Sequence, residues 1–127
     1  MIKEVFFKEK FVTIKTSVGI AKDIDVGFPV YKVIKTDQYV IVLLNGFFLH
    51  ETQYHNRNII CLDEQGNLIW RIENPDLVSP SKKQTPYAFT NITLKENNKI
   101  EAFTADCFIV DIDIDSGKFV SDWEFTK

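Results

Sequence analysis

Asp111, Asp113 and Asp115 alternate along the chain just ahead of Gly117, and alternate carboxylates on a tight turn can converge on a hard cation. An EF-hand loop wants glycine at its sixth position and glutamate at its twelfth; here those places hold Ser116 and Asp122, and no helical pattern flanks them. Strand alternation explains the same residues more simply, with Val110, Ile112 and Ile114 facing a core and the aspartates facing water. His50 and His55 miss the i, i+4 spacing of a helical zinc pair and lack an evident third ligand. The serines and threonines show no Gly-x-Ser-x-Gly elbow, and the glycines form no phosphate loop. The expectation is therefore a chain with no catalytic group and no cofactor.

The segments that would position these residues read as strands. Asn58–Asp63 and Asn67–Glu73 are apolar runs split by the polar turn Glu64-Gln65-Gly66, the second containing Trp70. Phe108–Ile114 and Lys118–Thr126 repeat the arrangement around Asp115-Ser116-Gly117, the second containing Trp123. Val30–Lys35 and Gln38–Asn45 precede the first pair; Tyr87–Lys95 and Lys99–Ala105, turning at Glu96-Asn97-Asn98, precede the second. At the N-terminus, Ile2–Phe7 and Phe11–Lys15 predict a hairpin, and Gly19 with Asp23–Pro29 predicts a connecting loop. Cys61 and Cys107 fall in apolar strand contexts, too far apart for a metal or redox motif.

With 127 residues, 45% hydrophobic and 26% charged, the chain has the composition of one globular domain. We divide it into an N-terminal hairpin and loop (1–28), a first meander (29–73), a loop (74–86) and a second meander (87–127). A net charge of −3 and scattered lysines offer no basic face to a phosphate backbone, which argues against nucleic acid. The longest apolar run, Tyr39–Leu44, suits a buried strand and is far short of a membrane span. The N-terminus lacks the pattern of a secretory signal, so the expected location is cytoplasmic.

Two successive antiparallel meanders, each ending in a tryptophan strand after an Asp…Gly turn, resemble β-propeller blades of the pyrroloquinoline-quinone and WD types. The resemblance covers residues 30–126 and rests on Asp63, Gly66 and Trp70 in one unit and Asp113, Gly117 and Trp123 in the other. A closed propeller needs about four to eight blades. This length predicts instead an all-β sandwich or half-barrel of two four-stranded meanders plus the N-terminal hairpin.

In such a meander the connections Gly46–Arg57 and Asn74–Pro86 leave the same end of the sheets. The first holds Phe47, Phe48, His50, Tyr54, His55 and Arg57, the aromatic and arginine content that interface centres use. Phe47–Leu49 fit either such an interface or an extension of the preceding strand into the core, while Tyr54, His55 and Arg57 are expected to be exposed. The chain also resembles small cytoplasmic bacterial immunity proteins, which neutralise toxins by binding them. That resemblance implies a protein partner, such as a basic toxin domain, met by Phe48, His50, Tyr54, His55, Arg57, Asp76, Lys82 and Lys83 with the acidic Asp111, Asp113 and Asp122. Two other functions fit the same sequence: a small-ligand or cation-binding β-domain using His50, His55 or the Asp111–Asp115 strip, and a self-assembling structural module. Monomer and dimer are equally compatible with it.

Overall fold

The computed structural model describes residues 1–49, 56–73, 88–105 and 107–125. Among these described residues, eleven strands form three antiparallel sheets, none closed into a barrel. The first contains β1 (Ile2–Lys8), β2 (Phe11–Thr16) and β3 (Ala21–Asp25); the second β4 (Val30–Lys35), β5 (Val40–Leu44), β6 (Ile59–Leu62) and β7 (Leu68–Arg71). The third contains β8 (Phe89–Lys95), β9 (Lys99–Thr104), β10 (Phe108–Asp113) and β11 (Glu124–Phe125). Both expected four-stranded meanders are present, and the N-terminal hairpin is joined by a third strand.

The central strands of the second sheet, β5 and β6, are buried on both faces. Ile41, Leu43, Ile59 and Cys61 pack against Ile92, Ile100, Ala102, Val110 and Ile112 of the third sheet. Their neighbours Val40, Val42, Leu44, Ile60 and Leu62 pack against Ile2, Val12 and Ile14 of the first. Strict side-chain alternation sends successive residues to opposite faces, so a strand with a core on each side must be apolar at every position. That is the reason β5 reads Val-Ile-Val-Leu-Leu and β6 reads Ile-Ile-Cys-Leu.

The outer faces of the stack mix charged and hydroxyl side chains with exposed rings. On the first sheet, Thr13 donates to Asp23 (2.6 Å) and Lys10 pairs with Asp25 (3.3 Å), while Lys15 and Lys10 lie over the exposed rings of Phe6 and Phe11. On the third, Lys95 bridges Asp111 (3.0 Å) and Glu101 (3.6 Å).

The turns lock neighbouring layers together. The Asp63 carboxylate accepts from the backbone N–H groups of Gln65 and Asn67, both at 2.9 Å, and holds Gly66 at φ 85°. A Cβ at Gly66 would lie 2.4 Å from Ile24 of the first sheet; at Gly117 (φ 72°) it would lie 2.5 Å from the Trp70 ring of the second. Trp70 Nε1 completes that junction by donating to the Ile114 carbonyl at 2.7 Å.

Three local expectations are corrected. Residues 23–25, expected in a loop, belong to β3, which pairs with β2 through Val12↔Ile24 and Thr13↔Asp23. Of the strand expected over 118–126, only Glu124–Phe125 is regular; before it, Phe119 makes a single bridge to Ile112. There the Ser121 hydroxyl, not a backbone group, accepts the Asp111 N–H (2.8 Å), so the ladder is interrupted. Cys107, expected in a strand, sits exposed in a turn at φ 70°.

Candidate docking site at the aromatic end of the stack

Where β5 ends, Asn45 redirects the chain. Its Oδ1 accepts the Phe47 N–H (3.1 Å) and its carbonyl accepts the Phe48 N–H (3.1 Å), starting a single 3-10 turn over Gly46–Leu49. Leu49 is wholly buried in the core between the first two sheets. With Leu49 as the anchor, the two preceding rings are held outside: Phe47 is 81% exposed and Phe48 52%, edge to face with centroids 5.5 Å apart. Of Phe47–Leu49, only Leu49 extends into the core.

A cleft of about 310 Å³ opens beside this turn, between the ends of the second and third sheets. Its lining includes Tyr31, Asn45, Phe47, Ala88, Phe89 and Thr90 and carries no charged side chain. Tyr31 and Thr90 occupy equivalent places, each the extra residue of a register irregularity (Val30/Lys32 in β4, Phe89/Asn91 in β8). Such bulges re-aim a side chain, and Tyr31 is 59% exposed at the mouth.

Asn58 ties the cleft together. It is completely buried; its Nδ2 donates to the carbonyls of Leu44 (2.9 Å) and Phe89 (2.8 Å), and its Oδ1 accepts the Phe89 N–H (2.9 Å). One amide therefore joins the end of β5, the start of β6 and the start of β8. Beside it, a Cβ on Gly46 would lie 2.4 Å from the Ala88 Cβ, so only glycine allows this approach.

Arg57, expected to be exposed, is half-buried. Its Nε donates to the Ile72 carbonyl (2.8 Å), and its own carbonyl accepts from Arg71 Nη1 (2.9 Å). It braces the base of the loop. His50, Tyr54, His55, Asp76, Lys82 and Lys83 lie outside the described residues. The described ends of their two segments, Arg57–Asn58 on one and Ile72 and Phe89 on the other, are bonded to each other.

The acidic residues lie elsewhere. β9 runs from Lys99, paired with Asp113, toward Ala105 in the cleft wall, so Asp113 is at the opposite end of the third sheet. Its carboxylate caps the adjoining turn, accepting from the Ser116 N–H (3.0 Å) and hydroxyl (2.7 Å). Asp111 accepts from Lys95 Nζ at 3.0 Å, a hydrogen bond that raises the lysine's pKa above its ordinary value despite some desolvation. Asp115 accepts from Asn98 Nδ2 (2.9 Å), and Asp122 is exposed. Among the described residues, no group of three or more His, Cys, Asp or Glu side chains is placed to hold a metal ion.

Tyr31, Thr90 and Asn58 are functional candidates that the sequence pattern did not single out. The repeated bulge behind the first two has no residue signature, and Asn58 is one amide among many.

The three stacked antiparallel meanders and an aromatic-mouthed cleft define a small all-β domain. The profile described as "Domain of unknown function (DUF7957)" matches residues 3–124, and the chain belongs to that family. No curated protein matches it. Two crystal structures of computationally designed proteins are similar in fold. Ika8, in its crystal packing No. 1 in P63, has a TM-score of 0.56 at 14% identity over 99% of this chain, and Ika4 a TM-score of 0.54 at 16% identity over 96%. This chain spans 37% of the Ika8 chain and 71% of the Ika4 chain.

Proposed function

We propose that this protein is a non-catalytic binding module of the immunity type, which neutralises a bacterial toxin in the cytoplasm by occupying its surface. The observation that carries this reading is the pair of exposed rings Tyr31 and Phe47 lining an uncharged cleft, with exposed Phe48 packed edge to face on Phe47. Interface centres are enriched in aromatic side chains and depleted of charge, and anchors work best when their partner seals them from water. Leu49 and Asn45 fix the turn that carries Phe47 and Phe48, which lowers the backbone entropy lost on binding. The net charge of −3 favours approach of a basic partner, while Asp111 and Asp113 act at a distance from the contact.

Co-expression with the toxin encoded beside it tests the reading. The wild-type chain should form a stable complex and protect cells; the double substitution Phe47→Ala/Phe48→Ala should weaken binding by at least 2 kcal/mol, about thirtyfold. A complex indifferent to both rings would refute this docking site.

The cleft volume also favours a second reading. About 310 Å³ is at the small end of ligand pockets, and its lining suits a compact, uncharged, apolar ligand. Ligand that binds only the folded state raises the thermal midpoint, so a screen of small apolar ligands against wild type and Tyr31→Ala separates this reading from the first.

A further inference from the structure

Among the described residues, the first sheet has three strands where the others have four, and strand direction shows which place has no strand. β4 and β8, which begin their sheets, run away from the aromatic end, and the second strands β5 and β9 run toward it. β1 also runs toward it, since the Ile2 N–H donates to the Asp37 carbonyl at the far end (2.8 Å) and the Glu9 carbonyl just after β1 accepts the Val30 N–H (2.7 Å). The packing agrees: β8 lies against both the first and second strands of the preceding sheet, β4 and β5, while β4 lies against β1. The position beside β1 that would complete the pattern holds a groove of about 320 Å³, lined by Lys3, Glu4, Val5 and Phe6 of β1 and by Val33 and Lys35 of β4.

Lys3 is the extra residue of a register irregularity (Ile2/Glu4), but from Glu4 onward successive residues point to opposite faces, so Glu4, Val5 and Phe6 can line a single groove only if it follows the strand's edge. β2 engages the other edge of β1. Antiparallel pairing on one side leaves every second N–H and C=O of a strand directed to the other. Among the described residues, no backbone hydrogen bond from Lys3 through Lys8 leaves the β1–β2 ladder. The charge of the groove is one-sided. Lys3 and Lys35 have no ion-pair partner among the described residues, whereas Glu4 is engaged by Lys15 at 4.0 Å.

We propose that the β1 edge receives an extended segment of a partner chain as the missing strand of the first sheet. The segment runs antiparallel to β1, sets acidic side chains beside Lys3 and Lys35, and sets apolar ones against Val5 and Val33. Strand addition of this kind takes affinity from main-chain hydrogen bonds and specificity from alternate side chains. A second copy of this chain fits less well. Two-fold pairing of β1 edges would bring both β4 strands beneath the same gap, since each β4 packs against its own β1 there. The exposed lysines also oppose indiscriminate edge pairing.

The test uses the full chain and two soluble nine-residue peptides, one alternating valine or threonine with glutamate, the other with lysine in place of glutamate. The glutamate peptide should bind and slow amide exchange along β1. The lysine peptide should bind at least tenfold more weakly, and the surface double variant Lys3→Glu/Lys35→Glu should reverse that preference. Phe47→Ala/Phe48→Ala should leave glutamate-peptide binding unchanged, which separates this surface from the aromatic cleft. The proposal is overturned if neither peptide binds at millimolar concentration or if both bind equally. It is also overturned if β1 becomes protected on dimerisation without peptide.

Discussion

Replacing Asn58 by alanine removes three hydrogen bonds of 2.8–2.9 Å from a site with no solvent access. Each such bond contributes about 1 kcal/mol net, and a buried N–H left without a partner, here that of Phe89, adds a desolvation cost of about 1–3 kcal/mol. We expect a loss of about 4 kcal/mol, a large share of the roughly 5–15 kcal/mol available to a domain. At about 3–5 °C per kcal/mol for a chain of this size, the thermal midpoint should fall by about 12–20 °C. The variant Asn58→Asp separates chemistry from volume. It keeps an acceptor for the Phe89 N–H but sets a carboxylate against the carbonyls of Leu44 and Phe89, which favours its neutral form. Its folded-state pKa is thereby raised above the unfolded value, so its deficit should be greatest at neutral pH and shrink as pH falls through the raised value. The assays are urea and thermal unfolding followed by tryptophan fluorescence, with amide exchange at Phe89 as the local readout. A loss below about 1 kcal/mol for Asn58→Ala, or an Asn58→Asp deficit that grows on acidification, would refute the assignment of Asn58 as the clamp between the sheets.

Gly117→Ala combines a left-handed backbone with a Cβ 2.5 Å from the Trp70 ring, and should cost about 2–4 kcal/mol while shifting the emission of Trp70, measured in a Trp123→Phe background. Burial, followed by the charges of Asp63 and Asp115, pushes the Cys61 thiol up to about 12; a thiol reagent at pH 8 should label exposed Cys107 within minutes and reach Cys61 only on unfolding. Partial burial raises the Asp63 carboxyl, but hydrogen bonds from Asn67, Gln65 and Gly66 outweigh it and leave the group below its ordinary value. Its contribution is then complete above the unfolded value of about 4 and lost as pH falls through the lower folded one, so unfolding followed from pH 5 to 2 should show a shallower acid limb for Asp63→Asn than for wild type.

The fold was legible wherever side-chain alternation, or its absence, reports burial. β5 and β6 are apolar without interruption because they separate two cores, and β10 alternates because one face meets water. β3 carries little strand signal because Ala-Lys-Asp-Ile-Asp offers one large apolar residue, Ile24, with the other four exposed; its pairing comes from β2. The final segment reads as a longer strand than it forms because two of its apolar residues, Phe119 and Trp123, pack inward from an irregular path that Ser121 diverts. At the site, the aromatic loop could be read from composition, and the bonded loop bases follow from meander topology. The bulges at Tyr31 and Thr90 could not be read, since an extra residue in a ladder leaves no mark without the partner strand. The role of Arg57 depended on two backbone carbonyls that no sequence pattern announces.

A sheet whose central strands are hidden on both sides has a consequence for how the chain is made. As the polypeptide emerges from the ribosome, β4–β7 can settle onto the β1–β3 layer already released, yet Ile41, Leu43, Ile59 and Trp70 stay uncovered until β8–β10 follow. During that interval the nascent protein shows a greasy, strand-rich surface of the sort that chaperones bind, and truncation after residue 73 would freeze it there, giving an insoluble product.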